Sequence, residues 1–381
     1  MSHSKPSAKY LVTLQKRYRM SNRQQRGQIL DEFVATSKYH RKYAIALLSG
    51  KQRRKARVVR RRRAAYYTAE DQRAVRRLAA LFDQIGSKRL RVALDDTLPS
   101  LRANGFLSVS VECYTHLTQV SPATMDKLRA KDPQRFGRRR GFTKPGTLLK
   151  HQIPIRTFAD WNPKRPGFME MDLVDHSGGL AQGDFAQTLD MTDVSSGWTE
   201  MRAVPNKAQQ HVFAALKTIR ARLPFRLQGI HSDNGSEFIN NQLYRYCQVE
   251  QLTFTRGRAG RKNDNAYVEQ KNWSVIRRLI GYDRYDTSAQ VRLLNHLYDC
   301  YRLYVNFFLP IVKLQRKVRE GSRTRKVYDA PQTPYARLLT SETLTADEKQ
   351  GLRDHYATLD VVQLRQTIDT LLQALHPSPL R

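Results

Sequence analysis

The order of apolar periods predicts an α/β core, a mixed five-stranded sheet with helices packed on it, preceded by all-α segments of helix-turn-helix outline. Three observations carry this. Apolar residues recur at helical spacing as far as about residue 131. From Phe168 that spacing gives way to short apolar runs bounded by turn signals such as His176-Ser177-Gly178-Gly179 and Ser195-Ser196-Gly197. Those runs then alternate with longer helical stretches in the order β-β-β-α-β-α-β-α, which mixes parallel and antiparallel neighbours.

Ile29, Leu30, Phe33 and Val34 form one helical stripe near the N-terminus, interrupted by Thr36-Ser37. Tyr43, Ile45, Leu47 and Leu48 belong to a second helix ended by Gly50. The pair has the outline of a helix-turn-helix, with His40, Arg41 and Lys42 where the second helix would meet DNA. Residues 51–63 carry nine positive charges in thirteen, Arg60, Arg61, Arg62 and Arg63 among them. Such a run repels itself, and a phosphate backbone would neutralise it. More amphipathic helices follow over 69–131, where Ser121 is a candidate N-cap and Pro122 suits a first turn, so that 123–131 reads as a second recognition helix. A second basic tether at 135–146 contains Arg138, Arg139 and Arg140.

Strands are then expected at 168–174, 185–191, 198–204, 225–231 and 252–255, with helices from Asn206 to about 222, over 236–250 and over 265–280. Trp198 and Trp273 read as core. The segment after the last helix is basic and aromatic, and 343–375 carries leucines at mostly helical spacing that could pair between subunits or pack back on the chain.

Composition narrows the function. The 381 residues carry 67 Lys and Arg against 34 Asp and Glu, a formal charge of +33. Residues 1–150 hold 35 of those cations against 10 acids, so the excess is concentrated toward the N-terminus. This points to a polyanion, nucleic acid first. No run of about 20 apolar residues and no lipidation signal favours a membrane. The cysteines Cys113, Cys247 and Cys300 are far apart and lack zinc-finger spacing, which suits a reducing cytoplasm.

Three acids fall at telling places: Asp172 inside the first strand, Asp233 after the fourth, and Glu269 in the last helix of the core. An ionised carboxylate at a strand end is costly without a compensating cation. Thirty-five residues separate Asp233 from Glu269. With His231-Ser232-Asp233-Asn234-Gly235 around the second acid and Val268-Glu269-Gln270-Lys271-Asn272 around the third, residues 155–340 resemble the DDE-type integrase/transposase superfamily, and the segment order resembles bacterial insertion-sequence transposases.

That resemblance implies an RNase H-like core in which Asp172, Asp233 and Glu269 hold two Mg²⁺ ions, with Mn²⁺ able to substitute. It implies a DNA transposase that cuts at an element's 3′ ends and transfers them into target DNA as a homo-oligomer, dimer or tetramer, and that is cytoplasmic and nucleoid-associated. A separate ATPase helper stays open, since no Walker-type phosphate loop is present. Asn272, at i+3 from Glu269, would face the same cleft and position DNA or a carboxylate. Arg258, Arg261 and Lys262 would grip DNA from the loop before that helix. The rival readings are a catalytically retired transposase acting as a DNA-binding regulator and an RNase H-like nuclease. Nearby acids compete for ligand roles, with Glu170 first because it shares strand parity with Asp172; Asp193 reads as structural and His231 as a packing residue.

The expected organisation is a helix-turn-helix unit (1–50), a basic linker (51–65), a second helical DNA-binding domain (66–132), a second linker (133–160), the core (161–285), a post-catalytic basic region (286–340) and a helical tail (341–381).

Overall fold

The computed structural model describes residues 7–50, 66–130, 165–180, 182–258, 266–321 and 323–376. Both expected basic linkers, with Arg60 to Arg63 and Arg138 to Arg140, lie outside these residues, as do Arg261 and Lys262. Contacts divide the chain into two compact units, Met1–Tyr66 and Tyr67–Arg381.

The first unit holds three helices: α1 (Ala8–Met20), α2 (Arg23–Ser37) and α3 (Arg41–Leu48). Asn22 and Gln25 form a capping box that starts α2, and Lys38 in the left-handed region ends it. Two residues later His40 caps α3, its ring accepting from the Lys42 amide. Ile29, Leu30, Phe33, Ala44 and Leu48 make the small core. Tyr43 and Ile45 are exposed, because the short α3 turns its Ala44–Leu48 edge inward. His40, Arg41 and Lys42 are all exposed, and Arg41 pairs with Asp31.

In the second unit, α4 (Ala69–Leu81), α5 (Ser87–Ala103), α6 (Val111–Gln119) and α7 (Pro122–Arg129) precede the sheet. Ser121 caps α7 by accepting from the Thr124 amide, with Pro122 in the first turn. The expected separate domain at 66–132 is not separate. Its buried residues, such as Leu78, Phe82 and Leu94, belong to one core with the sheet and the C-terminal helices. Polar ties reinforce this: the Tyr304 hydroxyl donates to the Leu81 carbonyl at 2.6 Å, and Asp83 meets Arg278 and Arg365.

The sheet runs β3-β2-β1-β4-β5: β1 (Phe168–Asp175), β2 (Gln187–Asp193), β3 (Thr199–Val204), β4 (Gly229–Ser232) and β5 (Thr253–Arg256). The first three are antiparallel and β4 and β5 run parallel to β1. This is the RNase H-like arrangement. The strands after β1 begin one to four residues later than the apolar pattern suggests. Gly229 opens β4 because a Cβ there would sit 2.7 Å from the Phe168 ring and 2.8 Å from the Thr253 carbonyl, too close for its neighbours on both sides.

Helix α8 (Gln209–Ala221) starts after Asn206, whose side chain accepts from the Ala208 amide and so shapes the turn rather than capping the helix. Asn240 caps α9 (Asn241–Val249). The expected helix at 265–280 is one continuous rod of three parts: α10 (Ala266–Lys271), a wider π-helical stretch at Asn272–Arg277, and α11 (Arg278–Ile280). Trp273 lies on that stretch and is 49% exposed, so it is not core; insertion of an extra residue per turn shifts which side chains face inward.

Beyond it, α12 (Ser288–Leu303) packs on β3, a hairpin forms from β6 (Leu314–Glu320) and β7 (Arg323–Tyr328), and α13 (Pro334–Leu339), α14 (Ala346–Ala357) and α15 (Val361–Leu375) close the chain. Val361, Ile368 and Leu375 are buried, with α15 packed on α12 of its own chain. Among the described residues no helix is long and apolar enough to cross a membrane.

Candidate active site

The two faces of β1 differ. Met169 and Met171 point to one side, where Met171 meets Leu189, Val212, Leu216 and Phe238 under α8. Glu170 and Asp172 point to the other, and their cross-strand partners there are polar as well: Thr192 and His231 opposite Glu170, Asp190 opposite Asp172. Helix α10 covers this polar face, touching β1 and β2.

Asp172 sits at the centre. Its Oδ1 accepts the Leu173 amide at 2.8 Å and its Oδ2 accepts the Asn272 side-chain amide at 2.6 Å. Burial raises its carboxyl to about 7, and the negative charges of Asp233 and Glu269 push in the same direction. Two acids from separate elements therefore bear on Asp172.

Asp233 follows β4 in a braced turn. Its Oδ1 accepts the Gly235 amide at 2.8 Å. The Asn234 side chain bonds to both the Arg256 guanidinium (3.0 Å) and the Gly257 carbonyl (2.9 Å), which ties this turn to the end of β5. A Cβ at Gly235 would lie 2.6 Å from the Glu237 carboxyl, so the Asn-Gly pair lets a further acid close over the turn. Burial raises both Asp233 and Glu237, and the Asp233 charge adds to the effect on Glu237.

Glu269 is exposed on the first turn of α10. Among the described residues no group of three or more His, Cys, Asp or Glu side chains is gathered closely enough to hold a metal ion. The charges of Asp233 and Glu269 thus reach Asp172 without the three acids forming a closed cage. The donor chemistry suits a hard divalent cation, which takes carboxylate oxygens and retains water.

Other acids sort by their partners. Asp193 accepts from the Gly167 amide and from the Ser196 amide and hydroxyl, so it fastens the turn between β2 and β3. Glu200 is held by Arg222 at 2.8 Å and Arg302 at 2.7 Å. His231 is fully buried with its Nδ1 2.8 Å from the Thr255 hydroxyl. Asp190 is different: it is fully buried, its Oδ2 has no hydrogen-bond partner, and burial drives its carboxyl well above the ordinary range, opposed first by the charge of Lys271. Burial in turn lowers Lys271 to about 8. In the sequence Asp190 counts only among the acids that compete with Asp172 for ligand roles, and Lys271 is not singled out. The signal available was that Asp190 stands opposite Asp172 in the expected strand pairing and Lys271 directly precedes Asn272. Arg258 is exposed beyond β5.

The integrase core domain family model matches residues 162–262. The uncharacterized protein y4rM of Sinorhizobium fredii is 42% identical over 327 residues, covering 84% of this chain and 91% of that protein. The chain belongs to the DDE integrase/transposase superfamily. The catalytic core domain of BIV integrase aligns with this integrase-superfamily chain at 18% identity over 46% of it and 95% of that structure, with a TM-score of 0.32. Within the superfamily protein, the family match spans Asp172 and Asp233 and ends before Glu269.

Proposed function

We propose that this protein is a DNA transposase that binds the ends of a mobile element, cleaves at their 3′ ends and joins them to target DNA. The observation that carries the reading is the convergence of the Asp233 and Glu269 charges on Asp172, from three elements distant in sequence. The match to the integrase core family supports it.

In this reading Asp172, Asp233 and Glu269 hold divalent metal, Mg²⁺ with Mn²⁺ as substitute. Two such ions supply activation of the attacking oxygen and stabilisation of the leaving one. Asn272 holds the Asp172 carboxylate in orientation through its amide. The reaction proceeds by two in-line displacements. Water oxygen forms a bond to phosphorus as the P–O3′ bond at the element end breaks, giving a 5′-phosphate and a 3′-hydroxyl; one water proton ends on the departing 3′ oxygen and the other passes to solvent. That hydroxyl then attacks a target phosphodiester, whose P–O3′ bond breaks to release a target 3′-hydroxyl.

DNA would be held by His40, Arg41 and Lys42 of the N-terminal unit, by the basic linkers, and by Arg258, Arg261 and Lys262 near the cleft, in a homo-oligomeric complex. Binding should weaken steeply between about 50 and 200 mM salt, as expected when many cations displace counterions.

The deciding experiment incubates the protein with Mg²⁺, a labelled element-end duplex and plasmid target, beside Asp233→Asn. Joined product from the wild type alone is the expected outcome. Nicking without joining would make the protein a nuclease, and binding without either would make it a regulator.

A further inference from the structure

We propose that Glu170 is a positioning residue: it clamps the first turn of α10 from the neighbouring strand and so fixes where Glu269 stands relative to Asp172. The inference rests on the transposase reading for its consequence in catalysis, but not for the clamp itself.

Glu170 lies on β1 two residues before Asp172, on the same face, and is fully buried. Its Oε2 accepts the backbone amides of Tyr267 at 2.8 Å and Val268 at 2.9 Å. Those amides belong to the first turn of a helix, where backbone N–H groups have no partner within the helix itself. Local side chains usually serve them; here the acceptor comes from about a hundred residues away.

Farther along the same helix, Asn272 donates to Asp172 at 2.6 Å. Strand β1 therefore grips the rod at two points, through residue 170 to positions 267 and 268 and through residue 172 to position 272. Glu269 falls between the two grips. Its height and rotation over the cleft follow from them, because a helix fastened on both sides of a residue leaves that residue little freedom beyond its own side-chain torsions. An oxygen acceptor also complements the positive end of the helix dipole, which makes Glu suited to the position. An acid engaged in this way acts through the helix, whereas a metal ligand would act through its charge on the ion.

The test separates those roles with two variants. Glu170→Ala removes the acceptor, and Glu170→Gln keeps a carbonyl oxygen in place while removing the ionisable carboxyl. Amide hydrogen exchange over 266–271 is measured on metal-free protein, alongside strand transfer titrated with Mg²⁺. Loss of the acceptor shared by two amides should speed exchange at Tyr267 and Val268 about ten-fold or more in Glu170→Ala, and raise the Mg²⁺ needed for half-maximal joining. Glu170→Gln should keep exchange close to wild type and recover most of the joining.

Unchanged exchange in Glu170→Ala would overturn the clamp. Joining as defective in Glu170→Gln as in Asp233→Asn, with exchange preserved, would overturn the positioning role and make Glu170 a ligand. If Glu170→Ala does not fold, Glu170→Gln alone still decides between clamp and ligand. Should the wild type join no DNA at all, the exchange measurement still tests the clamp while the transposase reading fails separately.

Discussion

The two faces of the five-stranded sheet are built from alternate residues of the same strands, yet they obey different rules. On one face Met169, Met171, Leu189 and Met191 are buried under apolar helix surface, where each side chain contributes by leaving water. On the other, Glu170, Asp172, Asp190 and His231 are held beneath α10, and two of these acids are raised by burial to about 8 and about 7. Buried acids elsewhere in the molecule, Glu200 with two arginines and Asp193 with three donors, have the partners that burial demands. The acids around Asp172 instead add their charges to one another. A fold keeps such an arrangement where it is useful, and the first face provides the stability that offsets it.

Substitutions on neighbouring residues of β1 should break this symmetry in opposite ways. Asp172→Asn is expected to lower DNA joining on the order of a thousand-fold or more while leaving the thermal midpoint unchanged or higher, since it removes a carboxyl that burial disfavours. A melting curve that collapses together with activity would assign Asp172 to the framework instead. One residue earlier, Met171→Ala should cost about 2–5 kcal/mol in urea unfolding, with joining retained below the midpoint, because a cavity opens on the face away from the cleft.

A third effect sharpens the rule that the polar face tolerates no unmatched charge. His176 is fully buried, its Nε2 lies 2.7 Å from the Thr188 hydroxyl, and burial, aided by Arg277, lowers its ring to about 3. The folded state therefore refuses a proton that the unfolded chain takes up near 6.5. Stability is intact above that value and is lost as pH falls toward the folded value, by roughly 3 kcal/mol at pH 4. Denaturant unfolding at pH 7 and pH 4 should show this loss in the wild type and a flatter profile in His176→Gln; parallel profiles would remove His176 from the account.

The smallest effect should come from Asn272→Ala. It deletes the 2.6 Å amide contact to Asp172 without touching the core, so joining should fall about ten-fold with the thermal midpoint nearly unmoved. An unaltered rate would mean that Asp172 needs no orientation from this side.

Much of this was legible before the structure. The change of period at Phe168, the order of strands and helices, and the placing of Asp172 within a strand were all readable, because alternation and helical spacing are local properties of the chain. Boundaries were less so: Asn206 shapes a turn instead of capping α8, and β4 is only four residues long because Gly229 must fit between two neighbours. The separate second helical domain was misjudged for a related reason. Amphipathic stripes on α4 and α5 show that the helices bury one face, but not that the face belongs to the same core as the sheet. Trp273 was placed inside because its position assumed a regular helix, and the π-helical stretch is set by what packs around it.

The sequence by itself determined the fold class, the basic character and the three acids worth watching, since these depend on residue type and spacing along one chain. The tertiary structure alone decided that Glu170 grips the amides of a helix about a hundred residues away, that Asp190 is buried opposite Asp172 with one carboxyl oxygen lacking a hydrogen-bond partner, and that residues 67–130 join the main core. Each of these is a contact between distant segments, and its energy depends on distance and burial in three dimensions, which spacing along the chain does not encode.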